Sequence, residues 1–310
     1  TNYGDRNIPQ IVCDILEENG YDAYWTALNA ADYGVPQIRE RVFVIAIRRG
    51  ERATINLPVP TNTNPANRKT QTQMRFNSFS EYENFRLPNE AGDDLPSWVT
   101  VGDAFGDLPE LFPTPYTKYV LNKINMPLDY RCEPQNDFQS QMRNWYGPGI
   151  SMVTGHCYRK TLRDFPIFAE MKQGDDFIQA SNIADKLFEQ ALKARGISMS
   201  EDSEAYEKLK KEIVPPYDRQ NFTSKWQKLR EDMPSHTLVA HLSVDTYSHI
   251  HPVEPRGISV REAARLQSFP DAFLFQCAMG DAYKQIGNAV PPLLAKGIAI
   301  QVRRAFDREN

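Results

Sequence analysis

The apolar positions near the start of the chain fall at helical spacing. Ile8, Ile11, Val12, Ile15 and Leu16 recur three and four residues apart, and Asn19-Gly20 supplies a stop, which predicts a helix from Ile8. Tyr24 to Leu28 and Val42 to Ile47 are rich in aromatic, β-branched and other apolar residues, which predicts two strands of a covered sheet. Helix, strand, turn and strand in that order make an α/β unit. After Arg49 the string LPVPTNTNPANRKTQTQ, rich in Pro, Asn and Thr, favours irregular backbone and marks a boundary.

From there to about residue 250 the chain reads as a mosaic of short strands and loops, interrupted by a helical pair near residues 182–214. Ser198 with Glu201 predicts a capping box for the second of these helices, and Glu204/Lys208 and Glu207/Lys211 stand at a stabilising spacing. The pair is expected to be a surface insertion without chemistry. α/β character then returns. Ser259 with Glu262 predicts another capped helix, ending before Pro270. QIGNAVPPLLAKGIAIQVRRAF predicts a turn at Gly287-Asn288 and then a helix, with Leu294, Ile298 and Val302 as its buried face and Arg303 and Arg304 at its C-terminal dipole. The expected organisation is a discontinuous domain, residues 1–56 and 251–310, around a middle lobe of residues 57–250.

With 310 residues, 41% hydrophobic and 25% charged, the chain can bury a substantial core. No apolar run approaches the roughly 20 residues that a membrane span requires. The start, TNYGDRNIPQ, lacks the basic flank and apolar stretch of a secretory signal, so a cytoplasmic location without a membrane partner is expected. Cys13, Cys132, Cys157 and Cys277 are far apart, which predicts reduced thiols rather than a disulfide framework or a zinc site. His236, His241, His249 and His251 cluster at a spacing that fits no familiar zinc pattern, and no metal is expected. The net charge of −4 conceals an uneven distribution. Residues 81–110 hold eight acids and one base, Arg86, whereas residues 141–172 hold Arg143, Arg159, Lys160, Arg163 and Lys172 against Asp164 and Glu170. A basic face on an acidic protein is one reading, and a solvated charge run is the plainer one.

Gln37, Arg39 and Arg41 alternate just before a predicted strand and share one face of any extended segment. Guanidiniums there suit phosphates or base carbonyl oxygens; an exposed charged strand end is the plainer alternative. Gly287-Asn288 permits close backbone approach beside a helix start and serves either a ligand or a simple helix entry. Taken alone, the helix bearing Arg261, Glu262 and Arg265 is structural.

Order and combination say more. ALNAADYGVPQIRERVFVIAIR, HTLVAHLSVDTYSHIHPVEPRGISVREAARLQSFPD and YKQIGNAVPP, in that order with a long stretch between the first two, closely resemble the C-terminal half of the DNA cytosine-5 methyltransferases. The resemblance covers roughly residues 8–50 and 234–304 and extends more weakly into SWVTVGDAFGDLPEL and TGHCYRKTLRDFPIF. It implies the C-terminal part of a Rossmann-like, S-adenosylmethionine-dependent methyltransferase domain, with a mixed, loop-rich target-recognition lobe. It also implies double-stranded DNA as partner, within restriction-modification. By the same resemblance Arg41 would contact a flipped cytosine, at its O2, and Arg39 would hold the catalytic loop, with Gln37 facing DNA. Asn288, Ala289 and Val290 would line the cofactor pocket, while Arg261, Glu262 and Arg265 brace the recognition lobe. Arg159, Lys160 and Arg163 are the candidate phosphate contacts.

Other parts of the family pattern have no counterpart. No cysteine follows a proline, there is no Glu-Asn-Val triplet, and the nearest string to a Phe-x-Gly-x-Gly cofactor loop is YGPGIS, which follows no predicted strand. The chain is therefore expected to need an N-terminal catalytic half, in the same longer chain or as a separate subunit. A DNA-binding module without catalysis and an RNA cytosine-5 methyltransferase are the alternative readings.

Overall fold

The structure is a computed structural model that describes residues 2–3, 6–51, 53–64, 74, 76–92, 94–111, 124–147, 149–159, 161–197, 204–218, 225–243 and 247–307. In chain order its elements are β1 (Asn2–Tyr3), β2 (Arg6–Asn7), α1 (Ile8–Glu18), β3 (Tyr21–Asn29), β4 (Glu40–Arg48), α2 (Phe76–Phe79), α3 (Val101–Phe105), β5 (Leu128–Asp129), α4 (Asp137–Asn144) and β6 (Met152–Val153). There follow α5 (Phe165–Glu170), α6 (Phe177–Arg195), α7 (Glu204–Ile213), α8 (Val260–Leu266), α9 (Met279–Asn288) and α10 (Pro292–Phe306). Short 3-10 turns occupy Ala30–Tyr33 and Ala240–Ser243. The chain divides into two compact units, Thr1–Val99 with Val290–Asn310, and Thr100–Ala289. The sequence places these divisions at 56/57 and 250/251, and both lie further along the chain.

In the first unit Asn7 caps α1, its side chain accepting from the Gln10 N–H (3.2 Å). β3 and β4 pair antiparallel along their whole length, from Tyr21 opposite Arg48 to Asn29 opposite Glu40. α1 packs on one face of this hairpin, with Cys13 and Leu16 against Ala23, Trp25 and Ala46. α10 covers the other face, where Ala305 meets Ile45 and Tyr24. Helices on both faces explain why β3 is buried without interruption from Trp25 to Asn29.

The segment beyond the Pro/Asn/Thr-rich connector returns to this unit. The Trp25 N–H donates to Asn84 O (2.9 Å) and the Arg86 N–H to Trp25 O (2.9 Å). Phe79, Tyr82 and Phe85 surround the Trp25 indole at centroid distances of 5.4, 5.9 and 4.7 Å. Aromatic burial, which composition does not reveal, moves the division to Val99.

Two apolar surfaces of the unit are uncovered. α1 buries Pro9 and Cys13 and half-buries Ile11 and Leu16, while Ile8, Val12 and Ile15 (53% exposed) face outward. On β4 Val42 (44% exposed) and Val44 are exposed as well, and among the described residues no strand pairs with the β4 edge away from β3. α10 buries Leu293, Leu294 and Ala305, but Val302, expected inside, is exposed. At about 100° per residue position 305 lies roughly 20° from the direction of Leu294, and position 302 about 80° away.

In the second unit α5 and the first half of α6 form a core with Trp226, Tyr247 and Ile250. The second half of α6 joins α7 through Phe188, Leu192 and Leu209. The helical pair thus starts at Phe177, earlier than expected, and its first turns belong to the core rather than to a surface insertion. Ser198 and Glu201 lie outside the described residues. α8 carries the Ser259–Glu262 capping box. Gly287 and Asn288 are the last residues of α9 rather than a turn, and the chain bends at Ala289.

Candidate functional site

The end of the β3–β4 hairpin is built around Asn29. Its Oδ1 accepts from the Ala31 N–H (3.3 Å) and the Arg39 N–H (3.2 Å), which pins both sides of the connection. Around Pro36 the Gln37 N–H donates to Val35 O (2.7 Å), a three-residue turn. The result turns the polar side chains inward. Gln37 is buried, Arg39 is 2% exposed, and Arg39 Nη1 donates to Gln37 Oε1 (3.4 Å). Arg41, opposite Leu28, is half-buried and its Nη1 donates to Glu40 O (2.7 Å). An exposed charged strand end is therefore ruled out for Gln37 and Arg39.

Burial, and then the like charge of Arg41, lowers the Arg39 guanidinium to about 10, and burial lowers that of Arg41 as well. Two partly desolvated guanidiniums at one hairpin end favour an acceptor such as a base carbonyl or a phosphate. Asp32 lies in the same connection. Burial raises its carboxyl to about 6, against the hydrogen bond that Trp98 Nε1 donates to Oδ1 (2.9 Å).

In the second unit Arg261, Glu262 and Arg265 are fully internal. Arg265 forks onto Asp107 (2.8 and 3.2 Å), and its Nε donates to Asp271 Oδ1 (2.7 Å). Asp107 also accepts from Arg143 Nε (2.8 Å), whose guanidinium stacks 3.5 Å from the Tyr130 ring centre. Glu262 takes two bonds from Arg256 (2.7 and 2.8 Å), and Glu254 takes two more (2.8 and 3.1 Å). Arg261 donates to the carbonyls of Thr154 (2.7 Å), Pro270 (3.1 Å) and Phe273 (2.8 Å). Burial alone would raise the Glu262 carboxyl, but Arg256 outweighs it and holds it well below the carboxylate range. These bonds tie residues 251–273 into the second unit. Three members of the network, Arg261, Glu262 and Arg265, are expected from the sequence as bracing residues, whereas the places of Asp107, Arg143, Glu254, Arg256 and Asp271 in it are not. Its one sequence signal is the mixture of acids and bases from Glu254 to Arg265.

The basic stretch does not form one face. Arg143 is buried in the network, Arg163 is held by Asp164 (2.6 Å), and Lys160 lies outside the described residues. Arg159 is exposed and lines a cavity of about 160 Å³ with Tyr247, His249 and Tyr283. At the end of α9 Asn288 is exposed, Ala289 half-buried and Val290 exposed.

His251, Glu254 and Glu262 converge as metal ligands do. The position is taken by a cation already, because the Arg256 guanidinium spans both carboxylates. His251 Nδ1 accepts from the Val253 N–H (3.2 Å) and the Glu254 N–H (2.8 Å), which leaves the proton on Nε2. Among the described residues no helix is long and apolar enough to cross a membrane.

The sequence matches the C-5 cytosine-specific DNA methylase family over residues 2–304, including the middle region where motif resemblance is weak. It is 53% identical over 306 residues to a protein of Oceanobacillus iheyensis that carries the name "Putative type II methyltransferase M.OihORF3336P", covering 98% of this chain and 66% of that relative. To M.AgeI of Thalassovita gelatinovora, a type II methyltransferase, it is 29% identical, over 94% of this chain and 68% of the relative. The chain thus spans about two thirds of the length of these relatives. Among solved structures, one described as a prophage-encoded DNA modification methyltransferase from E. coli aligns with a TM-score of 0.55 and 20% identity. That alignment covers 94% of this chain and 63% of the other, and it is a likeness of fold alone. With nearly every residue matched and more than half of them identical in one relative, the chain belongs to the C-5 cytosine-specific DNA methylase family.

Proposed function

We propose that this chain supplies the cytosine-facing arginines, one wall of the cofactor site and the recognition unit of a type II DNA (cytosine-5) methyltransferase acting on a specific site in double-stranded DNA. The observation that carries this reading is Arg41, half-buried at the hairpin end next to a buried Arg39 that Asn29 and Gln37 hold in place. Arg41 meets the carbonyl oxygen of a flipped cytosine, and Arg39 fixes the surrounding loop. Members of the family take their methyl group from S-adenosylmethionine. Asn288, Ala289 and Val290 offer an amide and a small apolar surface, which fit one side of such a cofactor. Arg159, exposed beside its cavity, is the proposed contact to a DNA phosphate, with Arg163 and, outside the described residues, Lys160 as the further candidates.

Methylation at C5 requires a nucleophile at C6. The buried thiols of this chain are poor candidates, since burial pushes Cys13 up to about 11 and Cys157 up to about 12. In this reading the nucleophile comes from residues outside these 310, in the same longer chain or in a separate subunit. The uncovered surfaces of Ile8, Val12, Ile15, Val42 and Val44, beside the open edge of β4, support a further layer of protein there.

Transfer of labelled methyl from S-adenosylmethionine to duplex DNA tests the reading. Label should appear only when the chain is combined with the segment of its full-length protein that carries a Pro-Cys loop. Label transferred by the 310 residues alone would reject the missing nucleophile. Binding of duplex by the combination without any transfer would favour a DNA-binding module without catalysis.

A further inference from the structure

The last turn of α9 is held from two sides by residues that the site described above does not use. A helix end leaves carbonyls without intrahelical donors. Here Gln267, fully buried, donates from its Nε2 to Ile286 O (3.0 Å) and to Ala289 O (2.8 Å). A glutamine amide has two N–H donors, and these two straddle the point where the chain leaves the helix. They set the direction of its exit as well as satisfying it.

Gln267 is itself well anchored. It caps α8, its N–H donating to Ala263 O and Ala264 O (both 3.1 Å). Ser268 follows in the left-handed conformation (φ 58°), with its N–H on Arg265 O (2.9 Å), and the Phe269 N–H closes the motif on Ala264 O (2.8 Å). The side chain is thus carried by the same helix whose Arg265 and Glu262 are locked into the ion network.

On the other side α9 lies directly against the backbone of Val239 and Ala240. A Cβ on Gly287 would stand 2.6 Å from both Ala240 N and Val239 C, closer than any carbon contact allows. Glycine is needed here for space, since Gly287 does not have a positive φ.

We propose that Gln267 and Gly287 are positioning residues that clamp the Asn288–Ala289 corner between α8 and the Val239–Ala240 backbone, so that the recognition unit sets the geometry of the cofactor wall. This rests on the reading that Asn288 and Ala289 face S-adenosylmethionine. The clamp is a device of this chain's own packing and can be tested apart from that reading.

The experiment compares wild type with Gln267→Leu, similar in size but without donors, and with Gln267→Glu, which sets a carboxylate against two carbonyl oxygens. Hydrogen exchange is followed in the peptide over residues 284–291, with the β3–β4 hairpin as internal reference. The expected result is at least about tenfold faster exchange at 284–291 with the hairpin unchanged, the scale set by the loss of one to two buried hydrogen bonds. In the enzyme combined with its Pro-Cys segment, KM for S-adenosylmethionine should rise about tenfold with kcat changed less than about twofold. Wild-type exchange at 284–291 in both variants would overturn the clamp. Equal acceleration in the hairpin would overturn it too, reducing Gln267 to a core residue. If wild type bound no S-adenosylmethionine, the functional reading would fall, and the exchange comparison would still decide on the clamp.

Discussion

Arg265 and Asp107 form a forked, fully buried pair, Nη1 to Oδ1 at 2.8 Å and Nη2 to Oδ2 at 3.2 Å, across 158 residues of sequence. Neither charge is accessible to water, so each depends on the other. Arg265→Leu leaves Asp107 with Arg143 alone and takes from Asp271 its forked partner, while Asp107→Asn removes the carboxylate that Arg143 pairs with and leaves Arg265 with Asp271. Each variant should lose about 3–5 kcal/mol in a urea titration, because breaking a buried pair leaves an uncompensated charge. The double variant should lose clearly less than the sum, and strict additivity would show that the two residues act separately.

Asp32 carries the opposite sign. Its carboxyl is raised to about 6 in the folded chain by burial, above its unfolded value of 3.8. The folded state therefore holds a proton that the unfolded state releases between about pH 4 and 6. The contribution of Asp32 is most favourable below the unfolded value and is lost as pH rises through the folded one. Asp32→Asn keeps an oxygen for Trp98 Nε1 and removes the buried charge. It should stabilise the protein by about 1–2 kcal/mol at pH 7.5, allowing for partial exposure, and by nearly nothing at pH 4. Thermal melting at both pH values reads this, and an equal gain at the two would remove ionisation as the cause.

The buried histidines work the other way. Burial lowers His156 and His236 to about 4 and His251 to about 3. His156 is held neutral with its Nε2 donating to Pro109 O (2.6 Å) and its Nδ1 on the Ser259 hydroxyl (2.8 Å). Their stability is complete above the unfolded value near 6.5 and is lost as pH falls toward 4. Wild type should therefore lose stability on acidification from pH 6.5 to 4.5 despite Asp32, each histidine withdrawing on the order of 2 kcal/mol. His156→Gln, which can keep a donor toward Pro109 O, should flatten that slope in a pH series of urea midpoints.

What was legible in the sequence was local. The α1 start, the β3–β4 hairpin and the Ser259–Glu262 cap follow from spacing and capping chemistry that act within a few residues. The buried placement of Gln37 and Arg39 was not legible, because an arginine beside a strand reads the same whether a turn folds it inward or not. The boundary at Val99 depends on Trp25 finding Phe79, Tyr82 and Phe85, and the inward turn of Arg143 depends on Asp107. Such pairings between distant segments leave no periodic trace. Ser268 escapes for a different reason, since a left-handed helix stop usually announces itself with glycine.

Arg41 and Arg159 should separate two kinds of DNA contact. On the reading proposed above, in which a Pro-Cys segment completes the enzyme, Arg41→Ala should weaken target-cytosine engagement by about 10- to 100-fold, as expected for a charge-assisted hydrogen bond, while cofactor affinity stays near normal. Collapse of cofactor binding would assign Arg41 to the cofactor rather than to the cytosine. Arg159→Ala should weaken binding to all duplexes about equally and reduce the salt slope by about 0.9. Arg163→Ala should do less, because its guanidinium is already held by Asp164. A loss confined to one sequence would make Arg159 a base reader instead.

The uncovered apolar surface permits a test of assembly that leaves the chain's own core alone. Ile15 points away from Cys13 and Pro9 on α1, and Val42 is an exposed residue of β4. Ile15 and Val42 are exposed and belong to none of the core clusters described above, so with Ile15→Glu or Val42→Lys the melting point of the chain alone should move by an amount equivalent to about 0.5 kcal/mol or less. A charge at a surface that another layer must cover is a different matter, because it would be desolvated without a partner. Methyl transfer by the combination should then fall at least about tenfold, and co-purification of the two segments should weaken in parallel. Full activity and undiminished co-purification in both variants would show that these residues stay in water in the active enzyme, and would reject the proposal that a further segment docks at the open edge of β4.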